Sequence, residues 1–448
     1  MGDHGVKPSF HHPPILVSGL ALLIAACGML LSTSGAQAAG HRGAVLVKDI
    51  LRGHSSGSPS QLTNVAGTLF FTAFDRRHGG ELWRSDGTRR GTRMVKDIRP
   101  GRANTPISDL TAVGRTLYFV VGDGHPVSQL WRTDGTARGT RMVKGVFPGS
   151  GWNYLISLTN GGGTLYFVVG GTQLWRSDGT EAGTIMLRGG SDWYVNSEMS
   201  AVGRIFYFSV AGPDGGLWRS DGTSAGTVLV KKLSPGDLTD FGGTLFFTAS
   251  DGTQSGIWRS NGTEAGTTLV IPSRLGATFP SGLTVAGGAL YFLADTTPGG
   301  RALWRSYGTD AGMSMLADVG PTPEGDGFAP QLTATGRTLY FVRNEDSGIL
   351  LRTDSTPGGT KVLRSNLRPE SLTAAGNKLF FAGTDSRHGQ ELWQSDGSRK
   401  GTRLVRDIRP GARSGRLQEL TAVRKTLFFS AYDNRHGYEL WRAGPKPK

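Results

Sequence analysis

The strongest constraint in this sequence is a tryptophan that returns at nearly fixed intervals. Trp marks the same place at positions 83, 131, 175, 218, 258, 304, 393 and 441, each inside Leu-Trp-Arg-Ser-Asp-Gly-Thr or a variant of it, and Leu351 fills the ninth place. Successive marks lie 48, 44, 43, 40, 46, 47, 42 and 48 residues apart. A period of about 45 residues is the size of a four-stranded propeller blade. Composition agrees: 69 Gly with 10 Trp, 10 Tyr and 20 Phe in 448 residues suits short strands punctuated by tight turns better than helical bundles.

Each unit reads as four strands. Leu62-Thr63-Asn64-Val65 and Thr68-Leu69-Phe70-Phe71 are separated by Ala66-Gly67. Equivalent places hold Gly114-Arg115, Gly203-Arg204, Gly242-Gly243 and Gly376-Asn377, as two-residue hairpin turns of positive φ require. A second turn, Asp86-Gly87-Thr88 through Gly91-Thr92, joins the Trp strand to a Val-Lys-Asp strand. There Asp caps its own turn and glycine takes the left-handed dihedrals. Such hairpins argue against a parallel β-helix. A longer linker, with Arg99-Pro100-Gly101 or Arg409-Pro410-Gly411, leads onward.

The two ends are complementary fragments. Val45-Leu46-Val47-Lys48-Asp49-Ile50 is a fourth strand with no blade before it, and the last unit stops at Glu439-Leu440-Trp441-Arg442 without one. Docking one on the other closes a ring and buries two open edges, whereas an open solenoid would carry polar caps. The expected fold is therefore all-β: a single closed β-propeller of about nine four-stranded blades over residues 45–442. Its N-terminal strand completes the last blade; 39–44 form a short linker and 443–448 a C-terminal tail.

Residues Ile15 to Leu31 are mostly apolar, preceded by a polar stretch with Lys7 and followed by Ala36-Gln37-Ala38, a small-x-small cleavage site. This is the grammar of a signal peptide over 1–38, and it predicts a secreted or cell-surface protein. A rival reading takes Ile24-Ala25-Ala26-Cys27 as a lipobox, with the protein anchored as a lipoprotein at Cys27. The apolar Met29-Leu30-Leu31 that follows suits a polar tether poorly. After the leader no run of 18 apolar residues appears, so no transmembrane span is expected in the mature chain. Cys27 is the single cysteine, which excludes an intramolecular disulfide and a Cys-cluster metal site.

The string Glu81-Leu82-Trp83-Arg84-Ser85-Asp86-Gly87-Thr88, repeated nearly intact from Glu391 to Ser398, resembles the bacterial ELWxxDGT repeat family. The resemblance covers essentially the whole mature chain. It implies an exported bacterial repeat protein of propeller type, with no established general activity. The sequence departs from the pattern at Gln129, Gln173, Gly216, Gly256 and Ala302 in place of Glu, at Asn261 and Tyr307 in place of Asp, and at Leu351 in place of Trp. Units five to seven are the eroded ones. The Ser-Asp-Gly-Thr turn is also similar to the Asp-box hairpin of sialidase-like propellers, but the residue order differs and no catalytic residue carries across.

Several constellations have a structural and a functional reading. The repeat tryptophans suit the wedge between blades, each burying about 150–250 Å²; an aromatic sugar platform is the alternative. Trp152 and Trp193 fall outside the repeat register, near Asn153-Tyr154 and Tyr194, and are candidate aromatic ligand contacts set against local packing. Thr63, Thr111, Thr159, Ser200, Thr239, Thr284, Thr333, Thr373 and Thr421 would ring a central channel if the Leu-Thr strand is innermost. The Arg after Trp (84, 132, 176, 219, 259, 305, 442) and Asp49, Asp97 and Asp407 suit ion pairs between strands or blades. Further cations on turns and linkers, Arg89, Arg90, Arg93, Arg399, Lys400, Arg403, Arg413 and Arg416, could engage an acidic surface.

The motif Asp-x-Arg-His-Gly-x-Glu-Leu-Trp occurs three times: Asp75, His78, Glu81; Asp385, His388, Glu391; and Asp433, His436, Glu439. A closed ring makes these units neighbours, so the nine side chains form a candidate ligand or metal patch. Duplication of one intact repeat explains the same pattern.

No His-Glu-x-x-His, Gly-x-Ser-x-Gly or Walker-type loop appears, and no cofactor is expected. Net charge is +14, which suits acidic partners. The expected function is an exported, non-catalytic binding or interaction scaffold, monomeric, for an anionic glycan, another surface polymer or a protein. Nucleic acid enters only through non-specific charge. The alternatives are an extracellular polysaccharide-acting enzyme on a propeller scaffold and a purely structural surface protein.

Overall fold

Runs of aromatic and β-branched residues between glycine turns form strands throughout, as pleated packing favours. The computed structural model describes residues 43–445 except 123–127, 146–153, 275–276, 297–298, 321–330, 344–347 and 357. The leader, the lipobox and Trp152 lie outside the described residues.

The first complete sheet pairs Ser60–Val65, Thr68–Asp75, Gly79–Ser85 and Arg93–Lys96 in that order, all antiparallel. Seven more sheets repeat this order down the chain. The ninth holds Gln418–Val423, Thr426–Asp433 and Gly437–Ala443, and takes Val45–Lys48 as its fourth strand. Val45 pairs with Arg442, Leu46 with Trp441 and Lys48 with Leu440, so the N-terminal strand completes the last blade as expected, though it ends at Lys48 and not at Ile50. Blades are numbered 1 to 9 from Ser60. Their first strands touch one another around the whole circuit, with blade 9 against blade 1. The first strands are therefore innermost, and the fold is a closed nine-bladed β-propeller. Among the described residues no helix is long and apolar enough to cross a membrane.

The core lies in the wedges between blades. Phe70, Leu82 and Val95 of blade 1 pack with Leu117 and Phe119 of blade 2; Ala44, Phe380, Leu392, Phe429 and Trp441 bridge blades 8 and 9. Trp83, Trp175, Trp218, Trp258, Trp393 and Trp441 are all buried, Leu351 is buried in the same role, and Trp131 and Trp304 are partly buried in the wedges. The repeat tryptophans are thus packing elements.

Two bulges recur in most blades. In the first blade, Leu82 faces Lys96 and Trp83 faces Met94, so Val95 is extra and turns into the core. On the innermost strand the register breaks between Ser60 and Thr63, with Gln61 at φ 54. The same place is left-handed at Asp109, Ser157, Asp237, Gly282, Ser371 and Glu419.

Candidate functional site: the loops of blades 8, 9 and 1 and the cationic arc

In the three histidine-bearing loops the aspartate folds back on its own turn. Asp75 Oδ1 accepts from the Arg77 and His78 backbone N–H at 2.8 and 2.7 Å, and its Oδ2 pairs with His78 Nδ1 at 2.9 Å. Asp385 with His388 and Asp433 with His436 repeat this at 2.9 and 2.8 Å. Burial pushes the Asp75 and Asp385 carboxyls up, but the histidine and backbone donors outweigh it and hold both below the usual aspartate range.

The glutamates of the same motif do something else. Glu81, Glu391 and Glu439 are fully buried. Glu439 accepts from the backbone N–H of Ile50, Leu51 and Gly57 at 3.0, 3.0 and 3.1 Å. Glu391 accepts from Ile408 and Arg409 at 2.9 and 3.0 Å, and Glu81 from Ile98, Arg99 and the Thr105 hydroxyl. Each one ties down the linker to the next blade. Burial, reinforced by the neighbouring Asp407 or Asp49, pushes Glu391 and Glu439 up to about 7; burial raises Glu81 as well.

The expected nine-residue patch therefore resolves into two separate devices, loop locks and linker anchors. The loops do share one arc of the ring, but each Asp–His pair closes on itself. Among the described residues no group of three or more His, Cys, Asp or Glu converges to hold a metal. Trp193 is likewise corrected as a ligand contact: it is 3% exposed, edge-on to Phe208 and Trp218 at 5.9 and 5.5 Å. Its neighbour Tyr194 is the exposed aromatic of that segment.

The arginine after Trp reaches across the wedge rather than pairing with Asp49, Asp97 or Asp407. Arg84 donates to the Gly135 carbonyl of the next blade at 3.0 Å, and Arg132 to Gly179 at 3.2 Å. Cations from several outer strands also sit over the next blade's tryptophan, among them Lys48 over Trp83, Lys96 over Trp131, Lys231 over Trp258 and Arg406 over Trp441, at 5.3–5.9 Å. On the inner strands, threonine hydroxyls donate to the following blade's bulge: Thr111 to the Leu158 carbonyl at 2.9 Å, and Thr421 to Leu62 across the closing seam at 3.1 Å. At these positions threonine laces one blade to the next, whereas Thr239 and Thr284 donate within their own strands.

The cations of the third-to-fourth-strand turns stay at the surface, Arg399 while donating its Nε to the Val362 carbonyl at 3.0 Å. Arg89 and Arg90 in blade 1, Arg138 in blade 2, and Arg399 and Lys400 in blade 8 are exposed, and Arg93, Arg141 and Arg403 follow at the starts of the outer strands. Blades 8, 9, 1 and 2 are consecutive in the ring, so these cations share one arc, on either side of blade 9, whose fourth strand comes from the N-terminus and which has no such turn. The same turn carries Glu181 in blade 3, Glu264 in blade 5 and Asp310 in blade 6. Arg76, Arg77, Arg387 and Arg435 add exposed charge at the histidine loops of blades 1, 8 and 9.

The innermost strands were missed as a charged feature. They carry Asp109, Glu198, Asp237, Asp240, Glu370 and Glu419, and none of the described first strands holds a Lys or Arg. Burial raises Asp109 and Asp237. The readable signal was the residue two places before the repeat threonine, which is acidic in blades 2, 4, 5 and 9.

No protein-family model matches the chain, and no curated protein matches it. Among solved structures it is similar to the computationally designed Ika8 protein, at 12% identity and a TM-score of 0.43, covering 75% of this chain and 96% of that one. It is similar to Sqt1 of Saccharomyces cerevisiae at 12% identity and 0.43, covering 76% and 95%. Similarity to oligopeptidase B of Leishmania major is 10% identity and 0.44, over 77% of this chain and 54% of the peptidase, about half its length.

Proposed function

We propose that the protein is an exported, non-catalytic scaffold of the ELWxxDGT repeat type that binds an acidic surface polymer along blades 8, 9, 1 and 2. The observation that carries this reading is the change of sign at one structural position. The third-to-fourth-strand turn presents Arg89-Arg90, Arg138 and Arg399-Lys400 on one arc, and Glu181, Glu264 and Asp310 on the other. Uniform positive charge would serve solubility alone; segregation within a rigid ring gives a polyanion one docking direction. Exposed pairs are weak singly, so affinity would come from several turns engaged by one repetitive chain. Export rests on the apolar run Ile15 to Leu31 and the Ala36-Gln37-Ala38 site.

The test is binding of the full mature chain to polygalacturonate and heparin at two salt concentrations. Because screening is nearly complete beyond about 10 Å at 0.1 M salt, affinity is expected to fall at least tenfold between low and high salt. Replacing Arg89, Arg90, Arg399 and Lys400 by Glu is expected to abolish that dependence. Absence of salt-sensitive binding to either polyanion removes this partner class.

A second reading has one observation in its favour. Glu198 and Asp237 are acids on adjacent inner strands, with the Asp237 backbone N–H donating to Glu198 Oε2 at 3.0 Å, and paired carboxylates are what polysaccharide hydrolysis uses. The binding reading ranks ahead because the residue at the Glu198 position also accepts from the next blade's backbone in blades 9 and 7, Glu419 from Leu62 N–H at 3.2 Å and Gln331 from Leu372 N–H at 2.9 Å. A contact that an amide serves equally well is a lace between blades.

A further inference from the structure

On the face that carries the second-to-third-strand loops, a cleft of about 1180 Å³ runs across blades 4, 5 and 6. Its origin is legible in the repeat. In blades 1, 8 and 9 the motif glutamate is buried under the linker it anchors. In blades 4, 5 and 6 that place holds Gly216, Gly256 and Ala302. The anchor is gone, and between blades 4 and 5 so is the linker: the outer strand ends at Lys231 and the next inner strand begins at Ser234. The loss uncovers the face and opens the cleft, so the erosion of the motif has a spatial product.

Phe279 stands at the cleft in a conformation that costs energy. It is 74% exposed with φ 49, where a bulky L side chain is a genuine outlier. The register jumps from Thr278 facing Asp295 to Ser281 facing Leu293, so Phe279 and Pro280 are extruded from the ladder. The equivalent left-handed position in blades 1, 8 and 9 holds Ser58, Arg368 and Arg416. Only here among these four does it push an aromatic ring into solvent.

The cleft holds few charges for a chain of net charge +14: Lys232, Arg301 and Asp251 line it, and Arg301 is paired with Asp295, outside the lining, at 3.7 Å from its Nε. The walls otherwise offer Asn196 and the hydroxyls of Ser234, Ser255 and Ser281. The Ser273 hydroxyl, also in the lining, is buried at its oxygen without a partner among the described residues.

We infer that this cleft binds a neutral saccharide chain, with Phe279 as the stacking platform. A sugar ring presents C–H groups on its faces and hydroxyls at its edge, which matches an exposed phenyl beside amide, hydroxyl and balanced charged groups. The size exceeds the usual range for ligand sites, of order 300–1,000 Å³, and is enough for several rings. This site is separate from the cationic arc and does not depend on it.

The experiment is calorimetric titration of the full mature chain with cellohexaose, maltohexaose and chitohexaose, and with oligogalacturonate as the charged counterpart, at low and high salt. At least one neutral hexasaccharide is expected to bind at one site with affinity unchanged by salt. Phe279→Ala should weaken it at least tenfold and Phe279→Trp should preserve it, with unchanged thermal midpoints showing that both variants fold. Charge reversal of the arc should leave this binding intact, which separates the two readings. The inference is overturned if no neutral hexasaccharide binds, if Phe279→Ala leaves affinity unaltered, or if only oligogalacturonate binds and does so in a salt-dependent way.

Discussion

Glu439 sits where the two ends of the chain meet. Its carboxyl is fully buried and receives three backbone N–H groups from the segment after the N-terminal strand. Burial still dominates and, with Asp49 beside it, lifts the group to about 7; Glu391 behaves alike beside Asp407. In the unfolded chain a glutamate titrates near its usual 4.5, so between there and about 7 the folded state holds more protons. Stability from these groups is complete below the lower value and lost as pH rises through the upper one, by roughly 3 kcal/mol per group. The thermal midpoint should therefore be lower at pH 8 than at pH 5. Glu439→Gln should flatten that profile, and an unchanged profile would refute the titration. The sequence displayed this glutamate inside its signature string, but its partners are backbone groups of a linker at the other end of the chain. No local pattern reports such a contact, which is why Glu81, Glu391 and Glu439 were grouped with the nearby histidines.

Strands and turns were readable because their causes are local. Ala66-Gly67 takes φ 49 and 92 as its hairpin requires, and Asp86 Oδ1 accepts from Thr88 N–H at 2.8 Å as the turn chemistry implies. The contacts that join one blade to the next were not readable, since they depend on the offset between sheets. Arg84 was expected to find an aspartate and instead finds the Gly135 carbonyl. Lys96 shows what such a contact does: its Nζ donates to the Thr140 carbonyl at 2.9 Å and lies 5.9 Å from the Trp131 ring. Lys96→Met keeps the aliphatic stem and removes both interactions, and should cost about 1 kcal/mol, measured as a lower denaturant midpoint. Lys96→Arg should recover most of it. If Met is as stable as Lys, the wedge is held by apolar packing alone.

At the scale of the ring, closure follows from blade equivalence and from the odd division of the last blade between the two ends. Arg442 pairs with Val45 in the final sheet, at the position where Arg84 pairs with Arg93 in the first. The only covalent difference is that blade 1 has the Asp86 to Thr92 turn and blade 9 has a gap. Joining Ala443 to Val45 through a copy of that turn, and opening the chain within the equivalent turn of blade 4 between Asp221 and Thr227, should therefore give the same ring with its seam moved. The permuted protein is expected to be monomeric by size-exclusion chromatography, with a thermal midpoint within about 5 °C of the parent. Removing residues 43–51 without replacement should aggregate, because it exposes the edge of the Gly437–Ala443 strand and strips Glu439 of two of its donors. A soluble, fully stable truncation would mean that eight complete blades and an unfinished ninth close without the N-terminal strand. A permutant that fails to fold would mean that the native seam does more than pair two edges.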